Sequence, residues 1–485
     1  MRLNLNLFWR FVGAATVAAV TASAQQTPTI IPLTSAGNIG AAPNGISSTA
    51  GELLFTQPYC HGFQSRGTYK VNLPAGGSTL VETIPEVGQC SENYLVMSQG
   101  LGGFTAGDRY ATAASTTSTV NEAVYKNGST PFIDMLPASS HHAGITFDTV
   151  GTFGFDLIVT LEGSVRGYDS TGALKFTYAA PALYVFEGAT VAPLSYRACP
   201  GCLFITAELA SDVGSTNPAG PGKIYIVTPA TPSGSAVTFW SNTPGPEPEG
   251  IVFVGFNQSS CSLSGYNYFV SGYATGGQLD NPQSTNGAIL AYTAAQLSGY
   301  AGQFLVPNEG STGGGPGIIY AFSSPGVSTV FSRTTYQLEG ATILACPGSP
   351  GRMTGGGSVF ETDGTRVTHG FELHCDVADV PNNLEINWGP GNRFHLETLV
   401  SASCYTDPNI NAGHPAAPFN TYVGFGTGDY NGAPGASAIW TFTDAGEPGR
   451  NDMATIKIKD VNGNTVLTVS GNLDSGNQQA HNDNK

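Results

Sequence analysis

A short element recurs six times along the first two thirds of the chain: a glycine, then a β-type run that ends in an aromatic residue. The copies occupy residues 67–71, 163–168, 222–226, 287–292 and 317–320, and residues 121–125 form a degenerate sixth copy. A chain that repeats short strands at intervals of a few tens of residues builds one small sheet per unit. The repeat therefore predicts a β-propeller-like domain of six blades.

A second element, a Glu-Gly dipeptide that leads into a short apolar strand, recurs with the first. Its copies are Glu187-Gly188, Glu249-Gly250 and Glu339-Gly340, with a degenerate version at residues 142–145. Further short strands, such as residues 202–206 and 237–240, lie between and after these elements and give four strands per unit. We interpret the Glu-Gly dipeptides as turns that enter the innermost strand of each blade.

The end of the repeat region is irregular. The interval from Gly287 to Gly317 is too short for a complete unit, so either one blade is stunted or the count of six is wrong. We expect the strand after Glu339 to pair with the N-terminal strands near residues 53–56. Such an exchange would close the ring and remove its exposed edges.

Composition predicts an all-β fold. The chain contains 64 glycines in 485 residues, nearly twice the ~7% that is usual in proteins. Long Glu-, Lys- and Leu-rich stretches with helical spacing are missing, and short apolar runs separated by glycine are typical of strands joined by turns. The propeller is predicted to span residues 44–346, after a loose lead-in at residues 25–43.

The pattern changes after a Gly- and Pro-rich linker at residues 347–357. Longer alternating strands follow, and Asn462-Gly463 marks a hairpin near the end of the chain. About seven such strands in the remaining residues are typical of a small antiparallel β-sandwich. We therefore predict an accessory β-sandwich domain at residues 358–485.

Two parts of the chain resemble known families. The blade rhythm and the Glu-Gly dipeptides of residues 44–346 resemble NHL-repeat and gluconolactonase-like propellers. The C-terminal motifs are GRMTGGG (351–357), VTHGFELHC (367–375), NRFHLE (392–397), DAGEPGRND (444–452) and VSGNL (469–473). With these motifs the region resembles the post-choice-of-anchor (post-COAP) domain of secreted bacterial proteins. That resemblance implies bacterial export and an accessory module without catalytic residues to carry over.

The N-terminus is typical of a secretory signal peptide, predicted here at residues 1–24. Arg2 and Arg10 precede an apolar run at residues 11–20, and the small residues Ala22-Ser23-Ala24 follow. This order of basic, apolar and small segments is cleaved on export and is too short to remain as a membrane span. We therefore expect a secreted, extracellular chain that begins at Gln25.

Eight cysteines in the exported part of the chain suit an oxidising compartment. Cys199 and Cys202 flank a Pro-Gly turn and are predicted to form a disulfide. A redox-active pair needs a helix N-terminus beside it to lower the pKa of a thiol, and a zinc site needs a second pair of ligands. The sequence predicts neither. Cys375 and Cys404 are the cysteines of the C-terminal domain and are predicted to pair. The partners of the other four stay open: Cys60, Cys90, Cys261 and Cys346.

Charge argues against two classes of partner. The chain has 18 Lys and Arg residues against 34 Asp and Glu residues, a net charge of −16. Such a surface repels phosphate backbones and anionic lipids, so neither nucleic-acid binding nor membrane insertion is expected. We expect a monomer whose partner is a glycan, a protein or a small ligand.

Glu187, Glu249 and Glu339 are the main candidates for chemistry. If each enters the innermost strand of its blade, the three carboxylates face the central channel, where they could bind a hard cation such as Ca²⁺. In gluconolactonase-like propellers a glutamate of this dipeptide is a metal ligand, which the resemblance implies here. The alternative is that the dipeptide is repeated turn chemistry, with solvated carboxylates at the mouth of the channel.

Three further clusters carry residues that could do chemistry. His141-His142 could place one imidazole in the channel, although a surface turn is the commoner setting. His374 and His395 could share an ion on one sheet face, whereas His369 lies on the opposite face of its strand. Asp444, Glu447 and Asp452 could hold calcium, but their loop lacks the ligand spacing of an EF-hand and also suits a polar turn.

These features give three hypotheses for function. The first is a secreted, non-catalytic binding or cell-surface protein that uses a propeller face. The second is a Ca²⁺-type metal-dependent hydrolase or lactonase with channel carboxylates. The third is a structural matrix or surface protein. The sequence carries no Gly-x-Ser-x-Gly elbow, phosphate loop, His-Glu-x-x-His helix or dinucleotide fingerprint, which favours the first.

Overall fold

The computed structural model of the protein describes most of the chain. The described residues are 24–33, 43–57, 67–85, 93–113, 122–136, 144–181, 183–209, 220–229, 231–274, 286–309, 316–410 and 418–482. All but the last residue of the predicted signal peptide therefore lie outside the described residues. The same holds for Cys60, Cys90 and the pair His141-His142.

Four blades are built from consecutive strands. After Thr29–Pro32 (β1), which belongs to the last blade, the chain forms four antiparallel sheets of four strands, each starting at the innermost strand. The strands are, in blade 1, Ile46–Ser48 (β2), Leu53–Gln57 (β3), Gly67–Val71 (β4) and Ser78–Thr83 (β5); in blade 2, Leu95–Met97 (β6), Arg109–Ala113 (β7), Glu122–Lys126 (β8) and Thr130–Leu136 (β9); in blade 3, Ile145–Phe147 (β10), Leu157–Leu161 (β11), Ser164–Tyr168 (β12) and Leu174–Ala179 (β13); and in blade 4, Tyr184–Val191 (β14), Leu203–Leu209 (β15), Lys223–Val227 (β16) and Thr238–Asn242 (β17).

Blades 5 and 6 are interleaved. The chain forms the innermost strand of blade 5 and then crosses to blade 6, with the strands Val252–Phe253 (β18), Tyr268–Ala274 (β19) and Gly287–Tyr292 (β20). It returns to complete blade 5 and ends on the innermost strand of blade 6, with Phe304–Asn308 (β21), Ile318–Ser324 (β22), Val327–Arg333 (β23) and Tyr336–Ile343 (β24). β1 pairs with β20 and completes blade 6 from outside, so the ring is closed by strands from both ends of the propeller.

This arrangement confirms the six-bladed propeller and explains its irregular end. The glycine-aromatic copies at residues 287–292 and 317–320 lie on the third strands of different blades, so the interval between them is not a blade length. The predicted pairing of the strand after Glu339 with residues 53–56 is wrong, because β24 pairs with β19 and β3 pairs with β2 and β4. Within the lead-in that was predicted to be loose, β1 is an ordered strand.

Aromatic side chains fill the space between neighbouring blades. Between blades 4 and 5, the Phe304 ring lies 4.3 Å from Phe204 and 5.0 Å from Tyr196, measured between centroids. The aromatic residue of the glycine-aromatic element is buried in four copies, at Tyr69, Tyr168, Tyr225 and Tyr292, and is partly buried at Tyr125 and Tyr320. Each such ring removes about 150–250 Å² from water. The repeated aromatic is thus a blade-packing residue.

The C-terminal region forms one antiparallel sheet of nine strands. They are Arg352–Phe360 (β25), Arg366–His374 (β26), Asn383–Trp388 (β27), Asn392–Tyr405 (β28), Thr421–Tyr430 (β29), Ala433–Thr443 (β30), Met453–Lys459 (β31), Thr465–Asn472 (β32) and Ser475–His481 (β33). The sheet runs from β32 down to β25 and ends in β33. It curls around a single core that includes the fully buried Trp440. Residues 352–357, assigned from the sequence to the linker, form the first part of β25.

Helices are short and disulfides are spread over both domains. The helical segments among the described residues are Ala294–Leu297 (α1) and the 3-10 turns Gln258–Ser260, Ser298–Tyr300 and Gly449–Asn451. None of the helices in this part of the chain is long and apolar enough to span a membrane. Disulfides join Cys199 to Cys202 and Cys375 to Cys404, the two pairs predicted from the sequence. A third joins Cys261 to Cys346, whose partners the sequence left open.

The curled sheet packs against the propeller at the ends of the innermost strands. Tyr405 of β28 stacks on Phe256 of the propeller with ring centroids 4.7 Å apart. Arg197, in the loop after β14, forms an ion pair with Asp407 across the same contact, at 2.8 Å. Val423 of β29 belongs to a hydrophobic cluster made mostly of residues from blades 3 and 4. The two domains therefore share a packed interface.

Candidate functional site

The Glu-Gly dipeptides of blades 4 and 6 lie inside the innermost strands, at β-bulges rather than at turns. In blade 4, Glu187-Gly188 lies opposite the single residue Thr206 where the register of β14 and β15 shifts. In blade 6, Glu339-Gly340 lies opposite Ser271 at the same kind of shift. A bulge places two residues of one strand opposite a single residue of its partner and changes the direction of their side chains. The predicted turns are therefore strand irregularities that redirect the glutamates.

The glycines of the dipeptides in blades 4 and 6 let the next blade approach. A Cβ atom at Gly188 would lie 2.6 Å from Gly250 Cα and 2.8 Å from Glu249 O. A Cβ at Gly340 would lie 2.9 Å from Asn44 O of blade 1. Only glycine, which has no Cβ, fits such a close backbone contact. Gly188 and Gly340 thus lie where adjacent innermost strands meet.

Hydroxyl groups on the second strands form hydrogen bonds that stabilise these contacts between innermost strands. Thr206 Oγ1 donates to Gly188 O at 3.0 Å within blade 4. Ser271 Oγ of blade 6 lies within hydrogen-bond distance of Gly340 O, at 3.1 Å, and of Asn44 O in blade 1. Sequence reasoning missed these residues, although a lone hydroxyl inside a buried apolar run was the available signal. Buried hydroxyls need such partners, because an unpaired one is costly.

Glu187, Glu249 and Glu339 are buried, with 0%, 5% and 1% of their surface exposed. The Tyr94 hydroxyl lies 3.4 Å from Glu187 Oε2 and 3.3 Å from Glu249 Oε2. Since a hydroxyl carries one proton, it donates to one of these carboxylates at a time. Glu339 Oε2 accepts a hydrogen bond from Asn44 Nδ2 at 3.1 Å. The side chains therefore link blades around the axis, and none of the three is a solvated carboxylate.

Asn44 belongs to the same group of hydrogen-bonded side chains around the axis, and sequence reasoning did not identify it. Asn44-Gly45 precedes β2 in blade 1, as Glu249-Gly250 precedes β18 in blade 5. Asn44 Oδ1 accepts a hydrogen bond from Asn93 N, in the segment that enters β6, at 2.8 Å. The signal was the parallel between Asn44-Gly45 and Glu249-Gly250, each followed by isoleucine.

The carboxylates do not form one compact metal-ligand set. Glu187 and Glu249 share the Tyr94 hydroxyl, whereas Glu339 is bonded to Asn44. Their oxygens are of the type that Ca²⁺ prefers. Yet within the described ranges no three His, Cys, Asp or Glu side chains are grouped so that they could hold a metal ion. The described residues therefore add nothing to the Ca²⁺ hypothesis, which stays a prediction.

The acidic loop of the C-terminal domain, which carries Asp444, Glu447 and Asp452, forms hydrogen bonds with the last strand, β33. Asp452 Oδ2 accepts from Gln478 N at 2.8 Å, and Asp444 Oδ2 accepts from Ala480 N at 2.9 Å. Glu447 Oε1 accepts from the side chains of β33 as well. Burial raises the pKa of Asp452 to about 6. These contacts give the loop a structural role.

The three histidines of the C-terminal domain lie apart. His369 is buried and stacks on Phe442, and burial lowers its pKa to about 4. The Nδ1 atom of His374 lies 2.9 Å from Pro381 O. His395 Nδ1 lies 2.9 Å from Glu385 Oε2. The separate partners of His374 and His395 give no sign of a shared ion.

An axial cavity of about 330 Å³ lies beyond the Glu-Gly dipeptides, along the innermost strands. Every blade contributes to its wall. The equivalent position in each innermost strand carries a hydroxyl in four blades and valine in two: Ser47, Val96, Thr146, Thr190, Val252 and Thr342. The cavity is therefore a product of the propeller as a whole.

The side chains that line this cavity in the described part of the chain are uncharged. Two of the hydroxyls tie blades together: Ser47 Oγ accepts from Met97 N at 3.0 Å, and Thr342 Oγ1 lies 3.0 Å from Ser48 Oγ. The hydroxyls of Thr146 and Thr190 make no hydrogen bond to another described residue. They remain available to a ligand.

The C-terminal domain supplies one wall of the cavity. Ser403 and Tyr405 of β28 line it together with Phe256. Burial raises the pKa of Tyr405 to about 12, so its phenol is neutral at physiological pH. Gln99 and Thr149, on the rim formed by blades 2 and 3, are exposed. The lining thus includes exposed residues beside blades 2 and 3, and the curled sheet forms part of the wall near Phe256.

No family model matches the chain, and no curated protein matches it significantly. Among solved structures, a Bacteroides caccae protein of unknown function is 12% identical, covering 73% of this chain and 91% of its own, with a TM-score of 0.20. A xylan β-1,4-xylosidase from Bacillus halodurans C-125 is 8% identical, covering 94% and 96%, with a TM-score of 0.33. The Vibrio cholerae biofilm matrix protein Bap1 is 8% identical, covering 92% and 73%, with a TM-score of 0.23. Similarities this low carry no argument about function, and the fold rests on the strand pairing itself.

Proposed function

We propose that the protein is a secreted binding protein that holds a small ligand in the axial cavity. One observation carries this proposal: six innermost strands and β28 converge on an open, uncharged cavity of about 330 Å³. Pockets for small molecules typically measure about 300–1,000 Å³. The signal-peptide pattern of the sequence and the disulfides of both domains support an extracellular setting.

The lining favours binding over catalysis. General acid–base chemistry needs a titratable group within hydrogen-bond reach of the substrate. Of the described side chains that line the cavity, Tyr405 is the titratable one, and its pKa is raised to about 12. The buried Glu187 and Glu249 are engaged by Tyr94 before the innermost strands reach the cavity. A ligand there would meet hydroxyl, amide and apolar groups.

The C-terminal domain contributes to the proposed binding site. Ser403 and Tyr405 of its strand β28 form part of the cavity wall beside Phe256. The accessory module that the sequence predicts is then a component of the binding site. A propeller without it would have a shallower and wetter cavity.

The test is a thermal unfolding screen of the full mature chain against compounds of mixed classes: sugars, amino acids, nucleosides, short fatty acids and lactones. A ligand that binds the folded state stabilises it by mass action, by about 2.7 kcal/mol at 100 times its dissociation constant. We expect at least one class to raise the unfolding midpoint of the wild type and not of Gln99→Trp, whose indole would fill the open rim. Gln99 is exposed, so this variant should fold normally.

Two results would reject the proposal. One is a screen in which no class stabilises the wild type more than Gln99→Trp. The other is turnover of a lactone or ester that disappears in Glu249→Gln, which would make the chain a hydrolase.

A further inference from the structure

We propose that the ligand of the axial cavity is a neutral carbohydrate the size of one sugar ring, bound through the hydroxyls of Thr146 and Thr190. This inference rests on the proposed function and specifies its ligand class. It follows from the charge, polarity and size of the cavity, and from the hydroxyls that remain unused by the protein.

Charge excludes ionised ligands. The described lining contains no Lys, Arg, His, Asp or Glu side chain, and Tyr405 stays protonated. Placing a carboxylate, phosphate or ammonium group in a cavity without an opposite charge costs several kcal/mol. The nearby ion pair of Arg197 and Asp407 is already satisfied at 2.8 Å. A ligand that fits must therefore be neutral.

Polarity excludes purely apolar ligands. Hydroxyls of Ser47, Thr146, Thr190 and Thr342 ring the cavity at one level, and Ser403 adds another from β28. A hydrocarbon would remove water from these groups without replacing its hydrogen bonds, at about 1–3 kcal/mol for each group left unpaired. Apolar side chains such as Ile145 lie between the hydroxyls. The ligand must present both hydroxyls and C–H surfaces, as a sugar ring does.

Two hydroxyls are placed to donate and accept. Thr146 and Thr190 occupy the same position in the adjacent blades 3 and 4, whereas the equivalent Ser47 and Thr342 are used between blades. Each free hydroxyl offers one donor and two acceptor sites, which suits a ligand hydroxyl that needs both. A volume of about 330 Å³ lies at the low end for ligand pockets. One sugar ring fits that size better than a longer glycan.

The test is isothermal titration of the full mature chain with glucose, galactose, mannose, xylose and N-acetylglucosamine. Glucuronate and glucosamine serve as charged probes of the same size. We expect one or more neutral sugars to bind and the charged probes to bind at least about tenfold more weakly. Thr146→Val and Thr190→Val keep the side-chain volume and should each weaken binding about three- to tenfold. Thr329→Val, on the exposed outer strand of blade 5, is the matched control and should change nothing.

The outcomes separate this inference from the proposed function. If a non-sugar class binds, and Gln99→Trp abolishes that binding, the carbohydrate assignment fails while the binding cavity stands. If a sugar binds equally to the wild type, Gln99→Trp and both threonine variants, the sugar site lies elsewhere and the inference is overturned. If no class binds in a manner sensitive to Gln99→Trp, both proposals fail.

Discussion

His369 should make the C-terminal domain sensitive to acid. This residue is 6% exposed, and its ring stacks on Phe442 with centroids 4.9 Å apart. Its Nε2 atom lies 3.1 Å from Gln478 Nε2, so a neutral imidazole accepts a hydrogen bond from that amide. Burial lowers the pKa of His369 from 6.5 to about 4. Protonation would place a charge in this apolar stack and remove the acceptor.

The size of the expected loss in unfolding free energy follows from the difference between the pKa values of His369 in the folded and unfolded chain. The unfolded chain takes up the proton near pH 6.5 and the folded chain only near pH 4, so the free energy of unfolding decreases as pH falls through this window. At 1.36 kcal/mol per unit, a shift of about 2.5 units corresponds to ~3 kcal/mol. Asp452 acts in the opposite sense: its raised pKa favours the folded state at low pH, and that contribution is lost between pH 3.8 and about 6. A variant is therefore needed to isolate His369.

The assay is urea unfolding of the wild type and His369→Phe at pH 7, 6, 5 and 4. Trp388 and Trp440 lie in the curled sheet, whereas Trp240 lies in β17 of the propeller, so tryptophan fluorescence is recorded in a Trp240→Phe background to report on the C-terminal domain. The wild type should lose about 3 kcal/mol relative to the variant between pH 7 and pH 4. His395→Gln is the control, since His395 is half-exposed beside Glu385, and it should follow the wild type. Parallel pH curves for the wild type and His369→Phe would refute the reasoning.

Three further predictions concern the scaffold. Gly188→Ala should destabilise the propeller by about 1–3 kcal/mol, because its Cβ would lie 2.6 Å from Gly250 Cα. Gly163→Ala, whose Cβ would have no neighbour within 4 Å, should leave the midpoint unchanged in thermal unfolding. Replacing Cys261 and Cys346 with alanine should cost about 2–5 kcal/mol in urea unfolding, since that disulfide spans 85 residues; an unchanged midpoint would argue against the pairing. Arg197→Met should cost about 1–3 kcal/mol, because it leaves the buried Asp407 carboxylate without its partner. Calorimetry should then show the two domains unfolding less cooperatively, whereas Arg393→Met, which breaks an exposed pair, should resemble the wild type.

The propeller could be predicted from the sequence because its determinants are local. Each glycine-aromatic element is one strand long, and a strand that packs on both faces needs its aromatic residue wherever it occurs. The interleaving of blades 5 and 6 could not be predicted, because nothing within β19 or β20 specifies which blade it joins. The same is true of β1, whose partner β20 is distant in sequence.

The candidate site was harder to predict than the fold. The sequence singled out Glu187, Glu249 and Glu339 as residues near the axis, and the structure places all three there in the buried interior. It could not indicate that Tyr94 and Asn44 bond to these carboxylates, since such contacts depend on how blades meet. The cavity was missed for a related reason. Thr146 and Thr190 are ordinary strand residues until six innermost strands bring them to one axis.

A crystal structure of residues 25–485, soaked in turn with each neutral sugar of the titration panel, is the most direct test of the central claim. The account predicts electron density for one sugar ring in the axial cavity, with ligand hydroxyls within hydrogen-bond distance of Thr146 Oγ1 and Thr190 Oγ1. Density at the outer surface of a blade or beside the Glu187 and Glu249 carboxylates, with the axial cavity holding water alone, would contradict it.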